Sequence, residues 1–462
     1  MSLAVGTRFI VGVNKGWFRW DYDHDLGRNQ FSGLRLYRNV VPDSLKPDPN
    51  PEQPYIQNLP NEINDSFAQI QSAQQSVQVV RIWAFERFEG LRFNDAGLVV
   101  GLDSAFLANI VKVLDAAATK GLQIYLCLNS WSVYDGPSQD LVNSGRAQDY
   151  LALQATWKSM VRNLLQNSDY LASFIDNALK PLVNSIGSHP ALFAIDVMNE
   201  PELLTDKDPA ITFDNWKNYV SKCSSAIRQA NTSVKVSCGI MRLSTIKSKA
   251  SALAPSVDFF DYHIYNEDGA LEPYVASEFA GKPCIIGECG YPIEITQGGN
   301  LLAKRIAGAQ KFLQNAQSLG YAGCLIWRPE DYETAKDGML QAAKDFADTR
   351  PLIRQGAPQP KSGCFIATAA MGSEIHPHVQ ALRDYRDTVL LKSRYRGSFE
   401  SLLAFYYRFS PPVAEAMVRH RFLKILLRYA LVYPIVFAIK TVLPAVDAAL
   451  GIRKDASRMR RG

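Results

Sequence analysis

The sequence predicts an α/β fold, a (β/α)8 TIM barrel followed by a small, mainly helical C-terminal domain. Short apolar runs, often β-branched, alternate with longer amphipathic stretches from residue 8 to about 347. Eight such runs occur in a length that suits a closed barrel with long loops better than an open doubly wound sheet. No glycine-rich phosphate loop follows the first run, which argues against a dinucleotide-binding sheet.

The strand candidates are "RFIVGVN" (8–14), "VQVVRIWAF" (77–85), "LQIYLCLN" (122–129), "LFAIDVMN" (192–199), "VKVSCG" (234–239), "VDFFDYHIY" (257–265), "PCIIGE" (283–288) and "AGCLIW" (322–327). Amphipathic spacing predicts helices over 62–76, 104–120, 145–186, 213–230, 244–253, 271–280, 299–319 and 334–347. Two loops are long, 19–61 after the first strand and 130–144 after the third. Loops after strands build the C-terminal face of such a barrel, where its active site lies.

The barrel domain is expected to occupy 1–355, with "GAPQPKSG" (356–363) as a Pro/Gly linker and 364–462 as a basic helical domain. The whole-chain charge of +5 is segregated: residues 361–462 hold 17 Lys and Arg against 7 Asp and Glu, and residues 1–360 hold 33 against 38. The tail therefore seeks an anionic surface. No nucleic-acid reader motif accompanies the basic residues, so nucleic acid is not expected as a partner and a membrane surface ranks higher. Seven scattered cysteines read as reduced, buried small hydrophobes. No secretory signal is seen at the N-terminus, so a cytoplasmic protein is expected, membrane-associated through 421–462. The sequence leaves the oligomeric state open.

Most strand candidates finish on a polar or aromatic residue at the end facing the catalytic rim. The second carries Arg81, the third Asn129 with Trp131 beyond it, and the fourth Asn199 and Glu200. The sixth carries His263 and Tyr265, the seventh Glu288 and the eighth Trp327. Two carboxylates on strands four and seven of one barrel mouth suit glycoside hydrolysis, which in a retaining enzyme places them about 5–5.5 Å apart. One must be protonated to donate to the leaving oxygen and the other ionised to attack the anomeric carbon. Arg81 would hold the nucleophile ionised, and a drier surround with the neighbouring negative charge would keep the acid protonated. An asparagine beside the acid can bond the sugar 2-hydroxyl, and Trp327 offers a flat apolar floor for a pyranose ring.

These residues carry a resemblance to the clan A glycoside hydrolases, nearest to family five, the cellulase and mannanase group. The matching motifs, in the family's order, are "VVRIWAF", "DVMNEP", "DYHIYN", "GECGYP" and "IWRPED", with "CLNSWSVYDG" similar to the third-strand segment of mannanase-type members. The resemblance covers roughly 8–347. It implies that Glu200 is the acid/base and Glu288 the nucleophile of a retaining double displacement on a glucan, mannan or related oligo- or polysaccharide. It implies supporting roles for Arg81, Asn199, His263, Tyr265 and Trp327, and no cofactor. Many members have a histidine at the end of strand three, where Asn129 stands here.

Blander readings accompany each residue. Glu200 could be a helix N-terminal acid before Pro201, His263 a satisfied core histidine and Arg81 a buried ion-pair partner. Trp17, Trp20, Trp83 and Trp131 are core or sugar platforms, and only Trp131 follows a strand end directly. His376 and His378 form an H-x-H pair without a third ligand at suitable spacing, so no metal site is expected. The rival readings of the whole are a catalytically silent carbohydrate-binding barrel tethered by its tail, and a transglycosylase.

In the tail, "CFIATAA" and "YYRFSPP" resemble the CFI-box C-terminal domain of bacterial proteins. The longest uninterrupted apolar run there, 429–439, is 11 residues, short of the roughly 20 that a spanning helix needs.

Overall fold

The computed structural model describes residues 9–18, 25–27, 29–30, 59–137, 139–292, 301–328 and 336–349, and in the C-terminal part 425–438 with single positions between 367 and 385. Trp20, His376, the 356–363 linker, "YYRFSPP" and most of the loop 19–61 lie outside the described residues, as does nearly all of "CFIATAA". Two compact units separate between Arg350 and Pro351.

Each of the eight predicted runs contributes one strand to a closed parallel barrel. Its strands are β1 (Ile10–Asn14), β2 (Val79–Trp83), β5 (Gln123–Cys127), β6 (Leu192–Asn199), β7 (Val236–Ile240), β8 (Phe260–Tyr265), β9 (Cys284–Gly290) and β10 (Gly323–Ile326). They pair in chain order, and β10 closes onto β1. The remaining two strands, β3 (Leu91–Phe93) and β4 (Val99–Leu102), were not among the expected elements. They form an antiparallel hairpin after β2, turned by Asn94, whose Oδ1 accepts from Leu98 N at 2.9 Å, and by Gly97 at φ +79°. That left-handed backbone suits a glycine.

The helices are α1 (Leu59–Ile70), α2 (Ser104–Thr119), α3 (Gln139–Asn143), α4 (Ala147–Gln166), α5 (Ser168–Phe174), α6 (Lys180–Ile186), α7 (Pro201–Lys207), α8 (Phe213–Ala230), α9 (Leu243–Leu253), α10 (Leu301–Ser318) and α11 (Lys336–Asp348). Three expectations are corrected. The stretch 145–186 is interrupted at Asn167, whose side chain caps α5, and carries a π-turn at Ile175–Leu179 before α6. Helix α1 stops at Ile70, because the Ser72 hydroxyl accepts from Ser76 N and Val77 N and turns the chain into β2. The expected helix 271–280 is a single 3-10 turn, Ala276–Phe279. Pro273 has no N–H to give and steers the residue before it away from helical angles.

The main apolar core lies between the strands and the surrounding helices. A second cluster, from Ile10, Val79, Tyr125, Phe193, Phe259, Ile285 and Leu325, joins residues near the starts of the strands and plugs the barrel from below. Tyr125, Phe193 and Phe259 pack with ring centroids 5.8–5.9 Å apart. Above this plug the interior turns polar, with Arg81, Asp196, Ser237 and Asp261 completely buried. Room for them comes from missing side chains. A Cβ on Gly287 would stand 1.7 Å from Asp261 Oδ1, and one on Gly239 would meet the His263 ring at 2.8 Å.

In the second unit, residues 425–438 are helical with a π-turn at Arg428–Val432. Among the described residues no helix is long and apolar enough to cross a membrane.

Candidate active site

The stretch "ALFAIDVMNEP" shows how one strand delivers two polar groups. All eight residues of β6 are buried. Its register with β7 shifts between Asp196 and Asn199, and such an irregularity re-aims side chains at the end of a strand. Glu200 then adopts φ +49°, ψ +53°, and Pro201 opens α7. A left-handed glutamate costs on the order of 1–3 kcal/mol and persists only where its surroundings fix it. Here its N–H donates to Gly239 O at 2.7 Å on one side, and α7 begins on the other.

The Glu200 carboxylate is held at both oxygens. Oε1 lies 2.8 Å from His263 Nδ1, and Oε2 accepts from Trp131 Nε1 at 2.6 Å. Glu288 is held likewise: Arg81 Nη1 donates to Oε1, and the Tyr265 hydroxyl donates to Oε2 at 2.6 Å. One oxygen of each glutamate and a ring nitrogen of His263 lie within 4.8 Å of one another. That closeness suits the short spacing of a retaining pair better than the wider one of an inverting pair.

Arg81 ties the floor of the site together. Besides Glu288, its guanidinium donates to Asp196 Oδ2 at 2.6 Å, Asn199 Oδ1 at 2.8 Å and Asn14 Oδ1 at 3.2 Å. The Trp83 ring lies over it, 4.4 Å from Cζ, and Trp327 meets Trp83 edge-on at 5.3 Å. Trp17 also packs against Trp83, with ring centroids 5.9 Å apart.

Seven of the expected residues are thus brought together: Arg81, Trp131, Asn199, Glu200, His263, Tyr265 and Glu288. Trp327 reaches the group through Trp83. Trp131 is more than a platform, because its indole N–H holds a carboxylate. Asn129 is not brought in; its amide turns away from the mouth and donates to the Tyr219 hydroxyl on α8 at 2.7 Å. Asn129 lies two residues beyond the last residue of β5, Cys127, where strand alternation no longer sets the direction of a side chain.

Sequence reasoning missed Asn14, Tyr125, Asp196, Asp261 and Glu202. The available signal was a lone acid inside an apolar run, as in "AIDVM" and "FFDYH". Glu202, on α7 behind Glu200, accepts from Met241 N and Arg242 N, and burial together with Glu200 pushes its carboxyl up to about 7.

The hold on Glu288 expected of Arg81 is shared with other groups. Burial pushes the Glu288 carboxyl above the ordinary glutamate value and Glu200 adds to that rise, while His263, Arg81 and the Tyr265 hydroxyl restrain it. Arg81 is therefore one of three groups that favour the anion. Tyr265 itself is pushed up by burial and by both glutamates, so it stands as a neutral donor.

Glu200, His263 and Glu288 are also spaced as metal ligands could be. Their partners argue otherwise: His263 Nδ1 already bonds Glu200, and the Arg81 cation bonds Glu288, so the set is satisfied by protein groups.

A (β/α)8 barrel with two hydrogen-bonded carboxylates at the ends of its fourth and seventh strands defines an enzyme acting on glycosidic bonds. Residues 58–328 match the cellulase family, glycosyl hydrolase family 5, and the chain belongs to that family. Mannan endo-1,4-beta-mannosidase of Cryptopygus antarcticus is 28% identical over 366 residues, 69% of this chain and 80% of that protein. The enzyme of the same name from Mytilus edulis is 25% identical over 196 residues, 42% of this chain, and the match spans only 40% of the mussel protein. The crystal structure of the β-mannanase from Mytilus edulis superimposes with a TM-score of 0.54 at 18% identity, covering 77% of this chain and 97% of that one; this likeness concerns the fold.

Tyr265→Phe removes a hydrogen bond that lowers the Glu288 carboxyl, so the acid limb of the pH profile of kcat/KM moves to higher pH. Loss of one hydrogen bond to a charged group should also lower kcat/KM about ten- to a hundredfold. An acid limb that stays in place or moves down would contradict this reading of the site.

Proposed function

We propose that this protein is a retaining β-glycoside hydrolase with a mannan-type polysaccharide as substrate, Glu288 as nucleophile and Glu200 as acid/base. The observation that carries the mechanism is the pair of buried carboxylates with oxygens within 4.8 Å of one another. Mannan is favoured over glucan by the names of the two similar proteins.

Ionised Glu288 attacks the anomeric carbon while Glu200 gives its proton to the departing oxygen, which leaves a glycosyl ester on Glu288. Glu200, now a carboxylate, takes a proton from water as that water displaces the ester, and both groups return to their starting states. Arg81 and Tyr265 orient the attacking carboxylate, and Trp131 and His263 orient the proton donor. Arg81 also fixes Asn199 Oδ1 and leaves Nδ2 with one long contact, 3.4 Å to Ser130 Oγ. That amide can then donate to a sugar 2-hydroxyl. Trp327, half-buried at the rim, presents its ring to the sugar. Two intact, partnered carboxylates speak against a silent binding barrel.

For the C-terminal unit we propose a CFI-box module that lies on an anionic membrane surface at the cytoplasmic side. The motifs "CFIATAA" and "YYRFSPP" support the module. The net positive charge of 361–462 supports the surface, as do the exposed Ile425, Leu426, Tyr429, Ile435 and Phe437. Arg428, the one charged residue in 425–438, donates to Ala370 O, which leaves the exposed side of this stretch apolar. Buried free cysteines are in keeping with a reducing compartment.

Two measurements check these readings. Glu288→Ala should abolish turnover of an activated aryl β-mannoside, and azide should rescue Glu200→Ala and yield the β-configured mannosyl azide; near-normal rates in either variant would reject the roles. The full chain should cosediment with phosphatidylserine vesicles and a 1–355 truncation should not. Equal partition of the two forms would remove the membrane reading.

A further inference from the structure

Asp261 and Tyr125 lie below the mouth and take no part in the cycle described above. The Tyr125 hydroxyl donates to Asp261 Oδ2 at 2.7 Å, and Asp261 Oδ1 stands 3.4 Å from His263 Nε2. The other ring nitrogen, Nδ1, is 2.8 Å from Glu200 Oε1. Four groups therefore run in series from the apolar plug to the acid/base. Asp261 Oδ1 and His263 Nε2 are completely buried and have no hydrogen-bond partner, so each faces the other across an ion-pair contact of 3.4 Å. Gly287 lets the carboxylate sit there, because any side chain would occupy the same space.

A neutral imidazole has one N–H and one lone pair. Once Glu200 has given up its proton, whichever ring nitrogen of a neutral His263 carried the proton, the other lone pair would face a carboxylate oxygen inside the barrel. Only the imidazolium offers an N–H to both. We propose that Asp261 is a positioning residue that keeps His263 doubly protonated, so that the ring donates to Glu200 and steadies the carboxylate formed when Glu200 protonates the leaving oxygen. This rests on the reading of Glu200 as acid/base.

The charged and titratable groups that face the pair agree with it. They are Arg81 from β2, Tyr125 from β5, Asp196 from β6, Glu200 and Glu202 beyond it, and Glu288 from β9. Tyr265 stands two residues along β8 as a neutral donor, and burial holds the thiols of Cys127, Cys238 and Cys284 neutral. Burial alone would drive His263 to its neutral form, but Glu288 and Asp261 outweigh it and hold the ring charged well above the ordinary histidine value. Burial likewise opposes the Asp261 anion, and His263 and Arg81 hold its carboxyl below the usual carboxylate range.

Asp261→Asn separates charge from contact. The new amide can still accept from Tyr125 and can donate to His263 Nε2, which leaves the ring neutral with its proton on Nδ1. The full chain is labelled with 15N-histidine, and His263 is assigned by comparison with His263→Gln. In the wild type both ring nitrogens of His263 should carry protons at pH 7.5, above the ordinary histidine pKa of about 6.5. In Asp261→Asn the Nε2 proton should be lost at that pH, while both limbs of the kcat/KM profile move to higher pH and the value at the wild-type optimum falls about tenfold. A neutral His263 in the wild type at pH 7.5 overturns the proposal even if the variant fails to fold. So does a folded Asp261→Asn whose ring and pH profile are unchanged. If Glu200→Ala turned over normally while His263 were doubly protonated, the acid/base reading would fall and the Asp261–His263 pair would stand.

Discussion

The ion pairing of Arg81 inside the barrel is the constraint on which the rest of the structure depends. A guanidinium removed from water is costly unless its donors are matched, and here Glu288, Asp196, Asn199 and Asn14 accept from its two terminal nitrogens. Burial opposes the charge, yet the neighbouring acids more than offset it and raise the guanidinium above its usual value. Removing one partner would strand the others, because the four oxygens that Arg81 holds come from three strands, β1, β6 and β9. The cation thus fixes β1, β2, β6 and β9 relative to one another at the height where the substrate meets the protein.

Local departures from regular structure follow from fitting so many polar groups into one lumen. Gly287 and Gly239 give up side chains so that Asp261 and His263 can be seated. The register of β6 slips, Glu200 turns left-handed, and Pro201 starts a helix at once. None of these choices improves the barrel as a barrel. Together they bring two carboxylates close enough to share a sugar, each with both oxygens already engaged. The aromatic plug below keeps water from the underside, so that ionic contacts above it act in a weakly screened interior.

Much of this was legible in the sequence, and the gaps have physical causes. Eight apolar runs at βα spacing were enough for the barrel, since parallel strands buried on both faces read as continuous hydrophobic stretches. Glu200 and Glu288 stood out because charges at the ends of such runs have no other home. Asp196 and Asp261 did not, because an acid within a run can be interpreted only once its cross-barrel partner is known. Asn129 bonds Tyr219 instead because it stands beyond the last residue of β5, where a strand pattern read from the sequence no longer tells which way a side chain points. The β3–β4 hairpin was overlooked because its strands are short and lie outside the barrel's repeat, and Pro273 showed its effect only against an otherwise helical pattern.

The most direct test of the central claim is to trap the covalent state. Incubation with an activated 2-deoxy-2-fluoro-mannoside, followed by proteolysis and mass spectrometry, should find a single sugar ester on the peptide that contains Glu288, and reactivation should release product of retained configuration. An adduct on another residue, or release of the inverted sugar without any adduct, would contradict the account.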